Sequence, residues 1–205
     1  MDARAHSAWC CALGLITSHA LAEKPKDPCA HDKAALLALS PQHFDETPGE
    51  GWRPLGDKSE CRLVAADLIA AYRTKHWGRL AADELKGLLW HEGQMRAAGG
   101  DNSRAVPLLM AGVPIDGDDA DMADYALGTV AFLQRDLAAL KAARDRLAKV
   151  PMPASFAKER DQMLAKFGSA PTWPVNLDVL DGLIACWDKP YAVAYQSECR
   201  PKGNP

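Results

Sequence analysis

Beyond residue 22 no stretch of the chain reaches roughly 18 uninterrupted apolar residues, which excludes a membrane-spanning helix from that part of the sequence. Strand-like alternation never lasts more than a few positions, so a sheet is not expected. The nucleophile elbow G-x-S-x-G, the Gly-rich phosphate loop and the zinc pair H-E-x-x-H are all missing. His91-Glu92 opens the last of these but continues Gly93-Gln94-Met95, which removes the second helical ligand. There is no C-x-x-C pair, so the commonest structural zinc pattern is absent as well. Charge of one sign is also lacking: 24 Lys and Arg against 27 Asp and Glu leave a net −3. No global field attracts nucleic acid or an anionic membrane, and no nucleic-acid partner, cofactor or resident metal is expected.

What is present is a chain of 205 residues, 48% of them hydrophobic, enough for one domain with one sizeable core. Residues 1–22 form a unit of their own. Asp2 and Arg4 precede the apolar run AWCCALGLITSHALA, which ends in the small-x-small signature Ala20-Leu21-Ala22, and the chain then turns polar at Glu23-Lys24-Pro25-Lys26. The pattern is that of a cleaved secretory signal, with 23–205 as a single helical domain, periplasmic or secreted, that keeps no stable membrane insertion after cleavage. Cys10 and Cys11 leave with the signal, while Cys29, Cys61, Cys186 and Cys199 remain. Four cysteines in an oxidising compartment imply two disulfides with three possible connectivities. The cysteines lie in pairs near either end of the domain, so the local pairing Cys29–Cys61 and Cys186–Cys199 is preferred. Each bridge would fasten an irregular terminal segment to a helix.

The expected class is all-α. A short amphipathic helix within 28–39 precedes a Pro-, Gly- and acid-rich loop at 40–58, in which Phe44, Trp52 and Leu55 are the candidate apolar pegs. A helix over about 60–77 carries Leu63, Ala66, Leu68, Ile69 and Tyr72 as its stripe. The next, over 79–98, carries Leu80, Leu85, Leu88, Leu89 and Met95, and stops at Gly99-Gly100. Asp101 or Asn102 can cap the helix that follows, with Pro107 inside it. Further helices are expected at 121–134, after the turn Arg135-Asp136 up to Pro151, at 155–167 with Ser155 as cap, and at 176–187. Pro190 opens a last turn, which completes a C-terminal helical part over 155–199.

One pattern recurs. Gly93, Gly100-Asp101 and Ala105 return 35 residues later as Gly128, Arg135-Asp136 and Leu140, and Pro151 or Pro153 closes the second copy. Over residues 86–153 this resembles the tetratricopeptide repeat, an antiparallel helix-turn-helix unit with small residues where its two helices touch. The chain departs from that pattern at Trp90, one position off the aromatic place. It departs also at Arg96, where an aromatic is usual, and at Arg144, where an apolar residue is. The resemblance implies antiparallel helix pairs between irregular, disulfide-fastened termini. It also implies a concave surface lined by first-helix residues, here Gly87, Trp90, Gln94 and Ala98, as the place where a protein or peptide binds.

No catalytic residue stands out: His31, His43, His76 and His91 are widely separated and read as surface or packing residues. The acidic run Asp116, Asp118, Asp119, Asp121, Asp124 has Ala120 at a ligand place and no Glu at the twelfth position of a calcium loop. It reads instead as charge that favours the N-terminus of the next helix. The expectation is therefore an exported, non-enzymatic, protein-binding helical module of the bacterial envelope, either an inhibitor or immunity-type protein or a scaffold. The alternatives are an envelope hydrolase working through carboxylates such as Glu84 or Glu92, and a small-ligand or metal binder.

Overall fold

A computed structural model describes residues 27–113 and 120–201. The expected signal segment 1–22 lies outside them, as do Asp116, Asp118 and Asp119 of the acidic run. The described residues are helical, with no strand among them, and no described helix is long and apolar enough to cross a membrane.

The N-terminal segment opens with α1 (Lys33–Leu36), whose first turn Asp32 caps by accepting the Ala35 amide at 3.0 Å. The expected loop at 40–58 is more ordered than its composition suggests: it holds a π-helical turn, Gln42–Glu46, and α2 (Arg53–Gly56). Its three pegs explain this order. Phe44, Trp52 and Leu55 are all buried, and Phe44 stacks on Tyr72 with ring centroids 3.7 Å apart. Tyr72 belongs to α3 (Arg62–Lys75), and its hydroxyl donates to the Leu39 carbonyl at 2.8 Å. The Cys29–Cys61 disulfide, with Cα atoms 5.4 Å apart, ties the chain start to the N-terminus of α3. Leu63 departs from the expected stripe: it is 38% exposed, spread over Gly99 at the end of the next helix.

The centre consists of α4 (Ala82–Ala98), α5 (Asn102–Ala111), α6 (Ala120–Leu133) and α7 (Leu137–Leu147). Their two turns agree hydrogen bond by hydrogen bond at a spacing of 35 residues. The Gly100 amide donates to Ala97 O and the Asp101 amide to Arg96 O; the Arg135 amide donates to Phe132 O and the Asp136 amide to Ala131 O. Asp101 and Asp136 then cap the next helix by accepting the amides of Arg104 and Ala139. This closure needs a left-handed residue after the first helix. Gly100 supplies it at φ 85° and Arg135 at φ 63°. For a side-chain-bearing residue that backbone costs about 1–2 kcal/mol. Arg135 is held there by Trp187, over whose ring its guanidinium lies at 4.7 Å and to whose carbonyl it donates at 2.6 Å.

The face that α4 turns inward is not the one its leucines suggested. Buried on α4 are Leu88, Glu92, Gly93, Arg96 and Ala97. Glu92 is 3% exposed and Arg96 4%. Glu92 takes hydrogen bonds from Arg73 of α3 through both Nε and a terminal nitrogen, and from Arg96 at 3.2 Å; Arg96 also meets Asp67 of α3 at 2.8 Å. Paired charges thus fill a seam that hydrophobicity alone would assign to apolar side chains. Gly93 is the point where α5 closes on α4.

After α7 come α8 (Ala154–Phe167), α9 (Leu177–Ala185) and α10 (Tyr191–Ala194). Ser155 is not the cap of α8: it falls inside the first turn, and the cap position is held by Pro153, which offers no side-chain acceptor. None of the residues of α8 is buried. α9 packs on both α6 and α7, and Cys186–Cys199, with Cα atoms 5.8 Å apart, fastens the chain end to it. By the chain-entropy account, bridges closing loops of 32 and 13 residues contribute roughly 3–4 kcal/mol each. Two apolar clusters result. One gathers Phe44, Trp52, Leu55, Leu68, Ile69, Tyr72 and Leu88; the other runs from Ala97, Ala105 and Leu109 through Phe132, Leu140 and Leu147 to Leu180 and Tyr191.

Gly93 and Gly128, 35 positions apart, differ in what a methyl group would meet. At Gly93 it would stand 2.7 Å from Leu109 Cγ and 3.1 Å from the Leu109 backbone nitrogen; at Gly128 its three nearest atoms, the first at 2.7 Å, would all belong to the side chain of Leu180, on α9. Gly93→Ala is expected to cost about 1–2 kcal/mol, because overpacking outweighs the gain in helix propensity. Gly128→Ala should cost less, since a leucine tip can move where backbone cannot. Urea midpoints at constant slope measure both; an equal or larger loss at Gly128 would show that α4 and α5 do not make the tighter contact.

Candidate functional site

The 17 residues of α4 place Gly87, Trp90, Gln94 and Ala98 about one turn apart, yet the structure does not gather them into one groove. Gly87 and Trp90 line an open slot of about 530 Å³ with Ala82, Asp83, Lys86, Gly112 and Met122. Gln94 and Ala98 line a separate cleft of about 290 Å³ with Arg62, Met95, Tyr191 and Tyr195. The division has a physical cause: α10 packs across the C-terminal half of α4, so Gln94 and Ala98 face Tyr191 and Tyr195. Burial, with Tyr195 beside it, pushes the pKa of Tyr191 up.

Trp90 is half-buried. Its ring lies 5.3 Å from that of Tyr125 on α6, tilted by 53°, and its backbone runs so close to Gly112 that a methyl there would sit 3.1 Å from Trp90 N. The indole therefore forms a wall between α4, α6 and the end of α5. Its accessible part borders the slot.

Next to the slot, the N-terminal half of α4 carries a cluster that sequence spacing does not disclose. Asp45, 3% exposed, sits in the π-helical turn, and its Oδ1 accepts the Trp52 indole N–H at 2.7 Å and stands 2.8 Å from His91 Nδ1. Arg53 donates to the Asp45 carbonyl and lies over the Trp52 ring at 4.8 Å. Burial alone would raise the pKa of Asp45; the His91 hydrogen bond and charge, the indole and Arg53 overcome it and hold the carboxyl below its ordinary value. Beside it opens a cleft of about 420 Å³ lined by Pro41, Gln42, Asp45, Glu46, Asp83, Glu84 and Leu88. No signal short of the fold links Asp45 to His91, because they lie 46 positions apart on a loop and a helix.

The two carboxylates considered for hydrolysis hold other posts. Glu84 accepts the Ala81 amide at 2.8 Å and so caps α4, and Glu92 is occupied by Arg73 and Arg96. Asp124, from the acidic run, pairs with Arg146 at 2.7 Å. Among the described residues no group of three or more His, Cys, Asp or Glu side chains is arranged to hold a metal ion. His43 pairs with Glu50 at 2.8 Å, and His76 stacks on Tyr72 at 4.2 Å and contacts Leu37 O.

Comparison with known proteins found no matching family, curated protein or solved structure.

Asp45→Asn should lower stability by about 1.5–3 kcal/mol near neutrality, the worth of hydrogen bonds to a charged acceptor. A carboxyl with a depressed folded pKa contributes its stability above the unfolded value of about 3.9 and loses it as pH falls through the folded value. The gap between wild type and variant should therefore narrow between about pH 5 and pH 2. Urea unfolding across that range tests this, and a constant gap would mean that Asp45 is not an ionised acceptor.

Proposed function

We propose that this chain is an exported, non-enzymatic helical module that binds a protein or peptide across α4. In this reading its centre consists of two tetratricopeptide-like helix-turn-helix units, with α4 antiparallel to α5 and α6 to α7. The observation that carries the reading is the pair of turns that repeat at 35 residues: the same closing hydrogen bonds, a left-handed residue at the same place and the same aspartate cap. The two largest departures from the pattern support it too, since each marks the docking of a flanking helix. Arg96 joins the Glu92 seam with α3, and Arg144 pairs with Asp181 of α9 at 2.6 Å. Two units are fewer than such arrays usually need, and α3 and α9 supply the missing neighbours.

Two disulfides favour an oxidising compartment, periplasmic or secreted. The open slot beside Trp90, with an aromatic edge at the centre of a rigid helix, has the character of an anchor site for a partner side chain. An inhibitor or immunity-type protein and a scaffold both fit this description.

A photo-reactive amino acid at Lys86, on the rim of the slot, tests the reading in the native envelope. The expected result is one stoichiometric crosslinked protein from Lys86 and none from Lys158 on α8. Crosslinking from Lys158 alone would move the binding surface away from α4, and turnover of peptidoglycan or lipid by the purified protein would overturn the non-enzymatic reading.

A further inference from the structure

The slot beside Trp90 and the cleft beside Asp45 are not independent. Asp83 lines both. Gly87, in the floor of the slot, has no side chain to separate them: a methyl there would stand 3.5 Å from Asp45 Oδ2. One end of the combined groove is walled by Trp90 and Met122 and the other by Asp45, Glu46, Asp83 and Glu84. No cationic side chain lines the acidic end among the described residues. Asp45 is the least replaceable of these acids. Its Oδ1 is taken by Trp52 and His91, but among the described residues no donor reaches Oδ2, although the residue is 3% exposed. Oδ2 is not enclosed by the protein but opens on the cleft, where a cation arriving from outside can donate to it.

The geometry points to a partner segment that places a lysine or arginine side chain in the acidic end and an apolar side chain beside Trp90. This specifies the chemistry of the partner and rests on the protein-binding reading above. Charge complementarity selects a basic segment over an acidic or neutral one, since four carboxylates face an occupant at that end and the one lysine of the groove, Lys86, lies in the slot. The apolar slot selects against a free cation, which would have no use for it. Gly87 and Asp45 together set the passage between the two ends.

The probe is an N-acetylated, C-amidated hexapeptide of alternating lysine and leucine, titrated into the oxidised, isotope-labelled mature chain and followed by amide and indole chemical shifts. The alternating glutamate–leucine peptide serves as control. The lysine peptide should move the signals of Gly87, Asp83 and the Trp90 indole, and its affinity should fall with added salt. The double variant Glu46→Gln, Asp83→Asn alters two exposed acids that cap no helix and should weaken binding by about fivefold or more. Gly87→Ala, whose methyl makes only ordinary contacts, should keep or raise the melting temperature while weakening the lysine peptide. Equal binding of the glutamate peptide, shifts confined to other faces, or unchanged affinity in both variants would overturn the proposal.

The same double variant in the crosslinking experiment separates this failure from that of the function. A partner still captured at full yield from Lys86 refutes the basic segment and leaves protein binding standing. No partner from any face of wild type refutes the function itself.

Discussion

The Glu92 carboxylate is the constraint on which the arrangement depends. Buried to 3% exposure between Arg73 of α3 and its own helix neighbour Arg96, it fixes which side of α4 faces α3. A buried ion pair gains little over an apolar contact of the same shape, but removing one partner strands the other at a cost of several kcal/mol. The seam thus acts through specificity: a rotation of α4 by one position would leave charges buried and unpaired. With that rotation set, Leu88 enters the N-terminal cluster and Ala97 the C-terminal one, and α4 becomes the wall the two clusters share.

On either side of this wall the turns at Gly100 and Arg135 close alike, while the helices they join find different partners. Gly93 lets Leu109 of α5 close on α4, whereas at the corresponding place Gly128 receives Leu180 of α9. The same replacement of partner explains Arg144, which would break an apolar contact within a regular unit but here meets Asp181. Even the non-glycine turn residue fits: Arg135 occupies its strained backbone because Trp187, just past α9, holds its guanidinium.

These relations separate what could be read in the sequence from what could not. The helical class, the boundaries of α4 to α7 within a few residues and the buried pegs Phe44, Trp52 and Leu55 follow from periodicity and turn chemistry. Both disulfides follow from cysteine count and placement. The inward face of α4 does not, because Glu92 and Arg96 look like solvent-facing residues until Arg73 and Asp67 are brought beside them. Ser155, the cap that the sequence offers for α8, sits inside it, two positions past the observed cap Pro153, a shift within the usual spread of helix boundaries. The candidate site was legible only in part: Gly87 and Trp90 do border a groove, but Asp45 comes from a loop whose course no local signal sets.

The loop at 40–58 is therefore more than a connection. Phe44 and Trp52 are anchored in the N-terminal cluster, and Asp45, between them in sequence, is carried to α4 by that anchoring. Across the other half of α4 the chain lays its own C-terminal turn, so Gln94 and Ala98 meet Tyr191 and Tyr195 rather than solvent. The open slot and cleft along α4 are thus confined to its first half. There the loop supplies Asp45 and Glu46, and α4 supplies Asp83, Glu84 and Gly87, which Asp45 approaches closely. The helix provides the rigidity, and the irregular N-terminal segment, tied down by Cys29–Cys61, provides the chemistry that makes this surface differ from the others.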